Sequence, residues 1–468
     1  MTRYFIHPTD GDVNNSGTDE SAPTTWDKFL NSGRVQLSGA NEYLQACGTT
    51  QSFGDGDSSY KTFILVSSGG TAASPLIIGS YGSGSKPRLT GNGTAKGCAI
   101  RATGTTSNVI IRGLEIDGHA PYDASGRQRA IDFDSNAGKS NIVVEDNYIH
   151  DIAENGVLIY GDNVTVRRNR VRRIGEDGIK VMTATTKVHV IANDVADVSR
   201  ELSTGDCIHV DGDPADLLIC DNVCDHSSVD TKQCIVADYV AGTPVNVVRI
   251  MNNTCKAPTH ATTHQAIAVK GPAYVSGNQV TGGSKGIYCS GANAVVCGNV
   301  IRLTGSNDGF AVALDIGNGM TAINNFLSRS SSDSSVQCDG IVQGSTGGAG
   351  GSAKNNAIFG FRNGIRFKTG GLSEEFNNFF GNTRDVVETS SPTTPVTVAV
   401  SDEAHSADTY WRCDGTLKME MYTAEDPTPM ATAGTYVQGV RLKNGRLRPG
   451  FCPIGAYAAV LSGAARTA

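Results

Sequence analysis

Two phrases, Asn141-Ile-Val-Val-Glu-Asp-Asn147-Tyr-Ile-His150 and Asn155-Gly-Val-Leu-Ile-Tyr160, decide the fold of this 468-residue chain. The first phrase is a β-rich run, an Asn and a second apolar pair. The second is a Gly turn followed by a short strand in which apolar and other residues alternate. Variants of both phrases recur over most of the sequence, which predicts a repeat architecture built from short strands.

The Asn of the first phrase recurs every 21 to 31 residues. It stands at Asn147, Asn169, Asn193, Asn222, Asn253, Asn278, Asn299, Asn325, Asn356 and Asn378. A period in the twenties with β-rich phrases is typical of a solenoid, in which each coil stacks like residues over like. We therefore expect these Asn side chains to bond to the coils above and below and to satisfy backbone groups that would otherwise be buried unpaired.

The second phrase shows which side chains face outward. It recurs as Arg129–Asp134, Asp177–Met182, Asp206–Asp211, Gln233–Asp238, Gln265–Lys270, Lys285–Ser290 and Asn363–Lys368. Its Ile-x-Val pattern places the apolar pair inward, so the residue between them and the residue after them face outward. Leucine-rich repeats are excluded because Leu at fixed places and a helical segment are missing. The variable connections do not favour the hairpin turns of sandwiches and propellers.

The predicted fold class is all-β, a single parallel β-helix with a cap at each end. Residues 1–60 are predicted to form an N-terminal strand and a short capping helix, 61–388 the β-helix, and 389–468 an irregular C-terminal capping segment. The capping helix is predicted at Ser21–Leu30, where Trp26, Phe29 and Leu30 have helical spacing. Such caps cover the apolar end coils of a solenoid.

Composition and charge exclude some classes of function. Gly accounts for 56 residues and aromatics for 6%, a composition typical of many short strands and turns. Because the net charge is −7, no general nucleic-acid footprint is expected. No run of 18 apolar residues exists, so no membrane span is expected. Met1–His7 lacks the regions of a secretory signal, which indicates cytoplasmic synthesis or a signal that was trimmed. The 12 cysteines are predicted to be reduced and to pack as small hydrophobic residues.

Three further segments carry a family resemblance. The opening Tyr4–Gly17, the pair Ser74–Tyr81 and Lys86–Gly91, and the closing Cys452–Tyr457 resemble the first strand, first coil and closing segment of the pectate-lyase-like superfamily. The resemblance covers nearly the whole chain. It implies a right-handed β-helix that binds a long polysaccharide along one side of the coil.

The outward positions gather a group of candidate catalytic residues. Adjacent coils are about 4.8 Å apart, so Lys180, His209, Asp211, Asp238 and Lys270 are expected to share one patch. Asp177 and Asp206 stand at the turns that open two of these strands. The longest insertions, residues 197–205, 226–232 and 257–264, lead into the same strands, and loops on a rigid scaffold commonly carry binding sites.

Paired aspartates on neighbouring coils predict an endo-acting glycoside hydrolase. That reaction needs one carboxyl group held protonated as an acid and one ionised as base or nucleophile. Glu176-Asp-Gly-Ile179 and Gly205-Asp-Cys-Ile208 are similar to two motifs of polygalacturonase-like hydrolases, although one Asp stands at Asp206 where that family has two. This resemblance implies acid and base roles for Asp177 and Asp206.

Substrate contacts are predicted on the same outward columns. Tyr160 and Tyr288 flank the charged patch and have rings that can stack on sugar faces. Asp132 and Asp134 occupy the corresponding outward positions one coil before Tyr160. We expect these four residues to bind substrate.

Two alternatives stay open. A polysaccharide lyase acting on a uronate would use Lys180, His209 or Lys270 as base, and Asp206, Asp211 and Asp213 could then hold Ca²⁺. The hydrolase needs no metal or other cofactor. The second alternative is a non-catalytic carbohydrate-binding or structural β-helix, such as an adhesin or a tail fibre component.

The expected partner is a bacterial surface polysaccharide or a plant polysaccharide, with neither nucleic acid nor a membrane as partner. Phage tailspike depolymerases resemble the chain in fold and are commonly trimeric, which implies a homotrimer. The expected location is the virion tail if the chain is encoded by a phage, and otherwise outside the cell.

Overall fold

The computed structural model describes most of the chain before residue 390 and two short hairpin elements after it. The described residues are 1–53, 62–91, 96–119, 127–135, 138–184, 186–199, 205–227, 232–238, 247–257, 265–290, 294–304, 310–317, 319–330, 337–343, 350–368, 372–375, 377–380, 382–389, 395–397, 411–413 and 419–421. The chain divides into two units, Met1–Asn246 (unit 1) and Val247–Ala468 (unit 2).

The strands of unit 1 form three sheets, and successive strands within each sheet come from successive coils, apart from the antiparallel Leu30–Asn31. The first sheet contains Thr2–Ile6, Asn41–Ala46, Leu76–Tyr81, Ser107–Arg112, Ser140–Glu145, Asp162–Arg167, Lys187–Ile191 and Asp216–Cys220. The second contains Thr50–Ser52, Arg88–Thr90, Glu115–Asp117, Tyr148–Ile152, Arg170–Ile174, Asp194–Ala196 and Val223–Asp225. The third contains Leu30–Asn31, Arg34–Leu37, Thr62–Val66, Lys96–Ala102, Arg127–Phe133, Val157–Tyr160, Ile179–Ala184, Ile208–Gly212 and Ile235–Asp238.

Unit 2 repeats this three-sheet arrangement. Its first sheet contains Val247–Met251, Ala273–Ser276, Val295–Cys297, Met320–Ile323, Gly351–Lys354 and Ser373–Glu375. The second contains Thr254–Ala257, Gln279–Gly282, Val300–Leu303, Phe326–Arg329, Ala357–Phe359 and Asn378–Phe380. The third contains Ile267–Lys270, Lys285–Cys289, Phe310–Ile316, Gln337–Gln343, Asn363–Lys368, Arg384–Thr389 and Pro395–Thr397. Trp411–Cys413 and Met419–Met421 form a separate antiparallel pair.

Parallel pairing between successive coils gives each unit the predicted right-handed parallel β-helix. In unit 1, Val157 pairs with Ile179 and Ile179 with Ile208, and none of the three has exposed surface. Burying one such side chain stabilises the folded state by about 1.5–3 kcal/mol. The apolar core therefore runs along the inside of the coil, as the alternating pattern of the second phrase predicts.

A ladder of buried asparagines joins the first and second sheets in both units. Asn169 Nδ2 donates to Asn193 Oδ1 at 3.0 Å and to the Val144 carbonyl at 2.9 Å, and Oδ1 of Asn169 accepts the Asn147 amide at 3.1 Å. From Asn147 to Asn356 the residue before each ladder position, such as Asp146 or Asp221 at φ 57°, adopts the left-handed region that turns the chain sharply. The predicted structural role of these asparagines follows from these bonds.

The last position of the ladder corrects the sequence analysis. Asn377, not Asn378, accepts hydrogen bonds from the amide and the side chain of Asn356. Earlier ladder residues directly precede a strand of the second sheet, as Asn356 precedes Ala357–Phe359. Because the corresponding strand here is Asn378–Phe380, the ladder position falls on Asn377.

The N-terminal helix is shorter than expected. Only Trp26–Phe29 are helical, as one 3₁₀ turn, and Leu30 begins an antiparallel pair with Arg34–Leu37. Trp26 is buried and its Nε1 donates to Gln45 Oε1 at 2.9 Å, whereas Leu30 is exposed. Pairing of Leu30 with Val35 therefore ends the helix before the predicted apolar face is complete. Most of the predicted C-terminal cap, including Cys452–Tyr457, lies outside the described residues.

Among the described residues, the structure contains no helix of the length and apolar character needed to cross a membrane.

Candidate functional site

Strand alternation and one tight turn position the candidate site in unit 1. Ile179 and Val181 are fully buried on either side of Lys180, and Ile208 and Val210 flank His209 in the same way. Lys180 pairs directly with His209 in the parallel register, so both side chains leave the same face of adjacent coils.

The turn before Ile179 requires Gly178. A Cβ atom there would lie 2.6 Å from a methyl group of Val195 and 2.7 Å from the Cys207 carbonyl oxygen. The amide of Gly178 donates to the Asp206 carbonyl at 2.9 Å. The close approach of these two turns places Asp177 beside Asp206.

Five side chains from these two coils form what we call the central cluster: Glu176, Asp177, Lys180, Asp206 and His209. Lys180 Nζ donates to Asp177 Oδ2 at 2.6 Å and lies 3.9 Å from Glu176 Oε1. His209 Nδ1 lies 3.8 Å from Asp177 Oδ1 and 3.5 Å from Asp206 Oδ2. The sequence analysis predicted that four of these residues lie close together, and the structure brings those four together.

Backbone amides fix the two aspartates. The Asp206 amide donates to Asp177 Oδ1 and the Gln233 amide donates to Asp206 Oδ1, both at 2.8 Å. Asp177 has no exposed side-chain surface and Asp206 has 5%, whereas Glu176, Lys180 and His209 each have about a fifth of their side chain exposed. The two aspartates are therefore held rigidly beneath three more accessible ionisable groups.

The environments of the two aspartates push their pKa values in opposite directions. Burial, followed by repulsion from Asp177, raises the pKa of Asp206 to about 7. Burial alone would raise the pKa of Asp177, but His209, Lys180 and the Asp206 amide outweigh burial and lower this pKa. Asp177 is thus ionised at neutral pH, while Asp206 titrates near neutrality.

The remaining members of the cluster also have shifted pKa values. Burial and then Asp177 raise the pKa of Glu176. Burial lowers the pKa values of Lys180 and His209, but their carboxylate neighbours outweigh it and raise both. The cluster therefore combines two groups whose cationic form is favoured with carboxyl groups of unequal acidity.

Glu176 is a member that the sequence analysis did not single out as a candidate. It accepts a hydrogen bond from Asn155 Nδ2 at 2.9 Å, one coil away. Asn155 is itself buried, and its Oδ1 has no hydrogen-bond partner in the described part of the chain. Its position directly before Asp177 at the turn is the feature of the sequence that could have identified it.

Asp211 and Asp238 pair with each other in the strand register of unit 1 and are both partly exposed. The predicted column that leads to them is interrupted, because the register shifts between Val181 and Ala184 and Met182 does not pair with Asp211. Lys270 and Tyr288 lie in unit 2, where Lys270 ends the strand Ile267–Lys270 and is exposed. The distances that define the central cluster involve none of these four residues.

The predicted substrate-binding aspartates lie in a network of ion pairs. Asp132 has 1% of its surface exposed and accepts from Arg129 at 3.2 Å, and Arg129 also donates to Glu154 at 2.6 Å. Asp134 accepts from Lys139 Nζ at 2.6 Å. Both carboxylates thus face protein cations.

Tyr160 lies at the end of Val157–Tyr160, pairs with Met182 and is partly exposed. Among the described residues, the predicted insertion loops are represented only at their ends, since 200–204, 228–231 and 258–264 lie outside the described ranges. His119 is exposed at the start of a loop whose continuation is likewise outside them.

Two described groups have ligand atoms close enough to hold a metal ion. They are Asp177, Asp206 and His209, and Asp117, His150 and Asp151, with the three atoms of each group within 4.8 Å of one another. One imidazole and two carboxylates suit a divalent transition metal better than Ca²⁺, which takes oxygen ligands. Of the three predicted Ca²⁺ ligands, Asp206 belongs to the first group, and Asp211 and Asp213 belong to neither.

A family model described as "Right handed beta helix region" matches residues 64–195. Solved structures similar to the chain include a GH136 lacto-N-biosidase from Eubacterium ramulus, with 14% identity, a TM-score of 0.45, and coverage of 81% of this chain and 68% of that one. A tailspike protein of the E. coli bacteriophage HK620 in complex with a pentasaccharide has 14% identity, a TM-score of 0.45, and coverage of 74% and 73%. A PL6 alginate lyase in complex with a trisaccharide has 12% identity, a TM-score of 0.43, and coverage of 87% and 93%. No curated protein matches the chain.

Proposed function

We propose that this protein is an endo-acting polysaccharide depolymerase that hydrolyses glycosidic bonds at the central cluster. The observation that carries the proposal is the buried Asp177, whose Oδ1 accepts the Asp206 amide at 2.8 Å and which shares the Lys180 ammonium with its neighbour Glu176. A hydrolase needs two carboxyl groups with different proton occupancy at one point of an extended surface.

In this proposal Asp206 is the acid. Its carboxyl group donates a proton to the glycosidic oxygen as the bond from that oxygen to the anomeric carbon breaks. A pKa of about 7 leaves a proton available near neutral pH. The Gln233 amide donates to Oδ1 and orients the carboxyl group, and His209 Nδ1 lies 3.5 Å from Oδ2.

Glu176 is the base. It accepts a proton from the water that attacks the anomeric carbon, so one proton leaves Asp206 and one reaches Glu176 in each cycle. A carboxylate whose pKa is raised is a stronger base than an ordinary one. Asp177 is a positioning residue in this scheme, because its two oxygens bind Lys180 and the Asp206 amide and its side chain is fully buried.

A lyase is the second candidate, and the cations of the cluster are the observation that favours it. Lys180 and His209 lie side by side, are partly exposed and have raised pKa values, so both can neutralise the carboxylate of a uronate. The same raised pKa values disfavour the neutral base that elimination needs, which is why hydrolysis ranks first.

The test is a screen of bacterial capsular, O-antigen and plant polysaccharides with the full chain. New reducing ends without ultraviolet absorbance are expected, and both Asp206→Asn and Glu176→Gln should abolish them. Asp221→Asn is the matched control, since Asp221 is exposed and Asn tolerates its φ of 57°. Products with a new double bond would establish the lyase, and binding without any product would establish a carbohydrate-binding protein.

The assembly and the location belong to the same proposal. A tailspike-type depolymerase is expected to be a homotrimer on a phage virion, and a bacterial one to be secreted. Light scattering of the purified chain measures the assembly directly, and a monomeric mass would contradict the tailspike type.

A further inference from the structure

Unit 2 contains a second group of ionisable residues that the proposed reaction does not use. Asp339 stands two residues before the inward-facing Ile341, as Asp177 does before Ile179 and Asp206 before Ile208. Asp315 stands one residue after the inward-facing Leu314, as His209 does after Ile208. The strand alternation therefore places a carboxyl group at each of the two positions that build the central cluster of unit 1.

Asp339 is fully buried, and hydrogen bonds hold both of its oxygens. Asn363 Nδ2 donates to Oδ1 at 2.6 Å. Arg366 donates to Oδ2 from Nε at 2.8 Å, and its Nη2 lies 2.7 Å from the same oxygen. This double contact fixes the guanidinium of Arg366, which keeps about a fifth of its side chain exposed.

Asp315 is less constrained. It is partly exposed, and its Oδ1 is buried without a hydrogen-bond partner among the described residues. Burial raises its pKa to about 6, with Lys285 and Arg366 acting downward and Asp339 upward. A ligand hydroxyl group can therefore reach this carboxyl group at Oδ2, which can accept a hydrogen bond.

An aromatic ring lies next to this carboxyl group. Tyr288 pairs directly with Asp315 in the parallel register, so the two side chains leave the same face of adjacent strands. Tyr288 is partly exposed, and Arg366 lies on the same face two strands beyond Asp315, with Val342 between them. An accessible ring beside a carboxyl group and a fixed guanidinium is the combination that recognises a sugar ring and its hydroxyl groups.

We propose that Tyr288, Asp315 and Arg366 form a second saccharide-binding site, in unit 2, that takes a neutral pyranose residue. The sugar face stacks on Tyr288, and its hydroxyl groups donate to Asp315 and accept from Arg366. A neutral sugar fits because the two carboxylates, Asp315 and Asp339, are balanced by Arg366 and Lys285. The proposal goes beyond the reaction assigned to unit 1, since binding here needs no cleavage.

The experiment measures binding of four defined hexasaccharides, of β-glucose, α-glucose, xylose and N-acetylglucosamine, to the full chain by calorimetry. Asp206→Asn serves as the background, so that cleavage does not interfere. Binding of at least one hexasaccharide is expected, weakened about tenfold by Tyr288→Ala or Asp315→Ala, as expected for loss of one ring contact or one hydrogen bond. Tyr288→Phe should bind normally, because it keeps the ring.

The matched control is Tyr274→Ala, which removes a partly exposed Tyr from the first sheet of unit 2 and should not change binding. Thermal unfolding of each variant checks that it folds. Absence of binding to all four hexasaccharides overturns the proposal, and so does binding that Tyr288→Ala and Asp315→Ala leave intact. This experiment measures binding and not cleavage. Its result therefore does not depend on whether the hydrolase proposal is correct.

Discussion

The central cluster of unit 1 and the Asp315–Asp339 pair of unit 2 use the same strand positions but differ in the cation beside the buried aspartate. Asp177 faces His209 and Lys180, whereas Asp339 faces Arg366. The guanidinium of Arg366 contacts one oxygen of Asp339 through two nitrogens, whereas Asp177 has Lys180 on one oxygen and the backbone amide of a second aspartate, Asp206, on the other. The comparison shows that the same strand position serves a pair of carboxyl groups in unit 1 and a fixed ion pair in unit 2.

A second difference lies in the oxygens that remain available. Asp206 has one oxygen bound to a backbone amide and the other 3.5 Å from His209. Asp339 has both oxygens bound by side-chain donors. The unit 1 carboxyl group can therefore exchange a proton, while Asp339 acts as an anchor.

The largest effect is expected from replacing each of the two buried aspartates, Asp206 and Asp339, by asparagine in a separate variant. Asp206→Asn should lower kcat by about 10²–10⁴-fold, the usual contribution of a general acid, because the amide cannot donate an acidic proton. Asp339→Asn should leave kcat near the wild-type value. Initial rates of reducing-end release measure both, and equal losses in the two variants would contradict the division of roles.

A smaller effect is expected on stability, and it should be similar in both units. Asn193→Ala in unit 1 and Asn299→Ala in unit 2 each remove an Oδ1 that accepts from the neighbouring ladder Asn and an Nδ2 that donates to a backbone carbonyl. Buried groups left unpaired cost about 1–3 kcal/mol each. Urea unfolding should show a comparable loss for both variants, whereas an intact unfolding midpoint in either would show that the ladder is dispensable there.

The pH dependence should separate the two sites. Activity needs Asp206 protonated beside Asp177, His209 and Lys232, so it should fall as the pH rises through about 7. Saccharide binding in unit 2 needs Asp315 ionised beside Lys285, Arg366 and Asp339, so it should weaken as the pH falls through about 6. Initial rates and calorimetry between pH 5 and 8 measure the fall in activity and the fall in binding. If activity and binding fell together over the same pH range, one group would control both.

The smallest effect is expected from a chelator. Hydrolysis by Asp206 and Glu176 uses carboxyl groups only, so dialysis against EDTA should leave the rate unchanged. A loss that Zn²⁺, Mn²⁺ or Ca²⁺ restores would instead identify a metal among Asp177, Asp206 and His209, whose ligand atoms are within 4.8 Å of one another. The same treatment should leave binding in unit 2 unaffected.

The repeating coil could be predicted from the sequence alone, because strand alternation and the Asn period are local properties of short phrases. It also determined the direct pairing of Lys180 with His209, since like positions of adjacent coils stack. The misplaced last ladder residue, Asn377, shows the limit of that reasoning, because two consecutive asparagines fit the pattern equally well.

Which outward residues are buried, and which groups they contact, depends on the tertiary structure. Asp132 and Asp206 both follow from the pattern, yet Asp132 faces Arg129 and Asp206 faces Asp177 and His209. Asp315 gains its raised pKa from burial and from charges on other coils, and Asp206 gains its raised pKa from burial and from Asp177 one coil away. Burial and charge depend on groups brought together from more than 20 residues apart, and the period of a sequence carries no record of them.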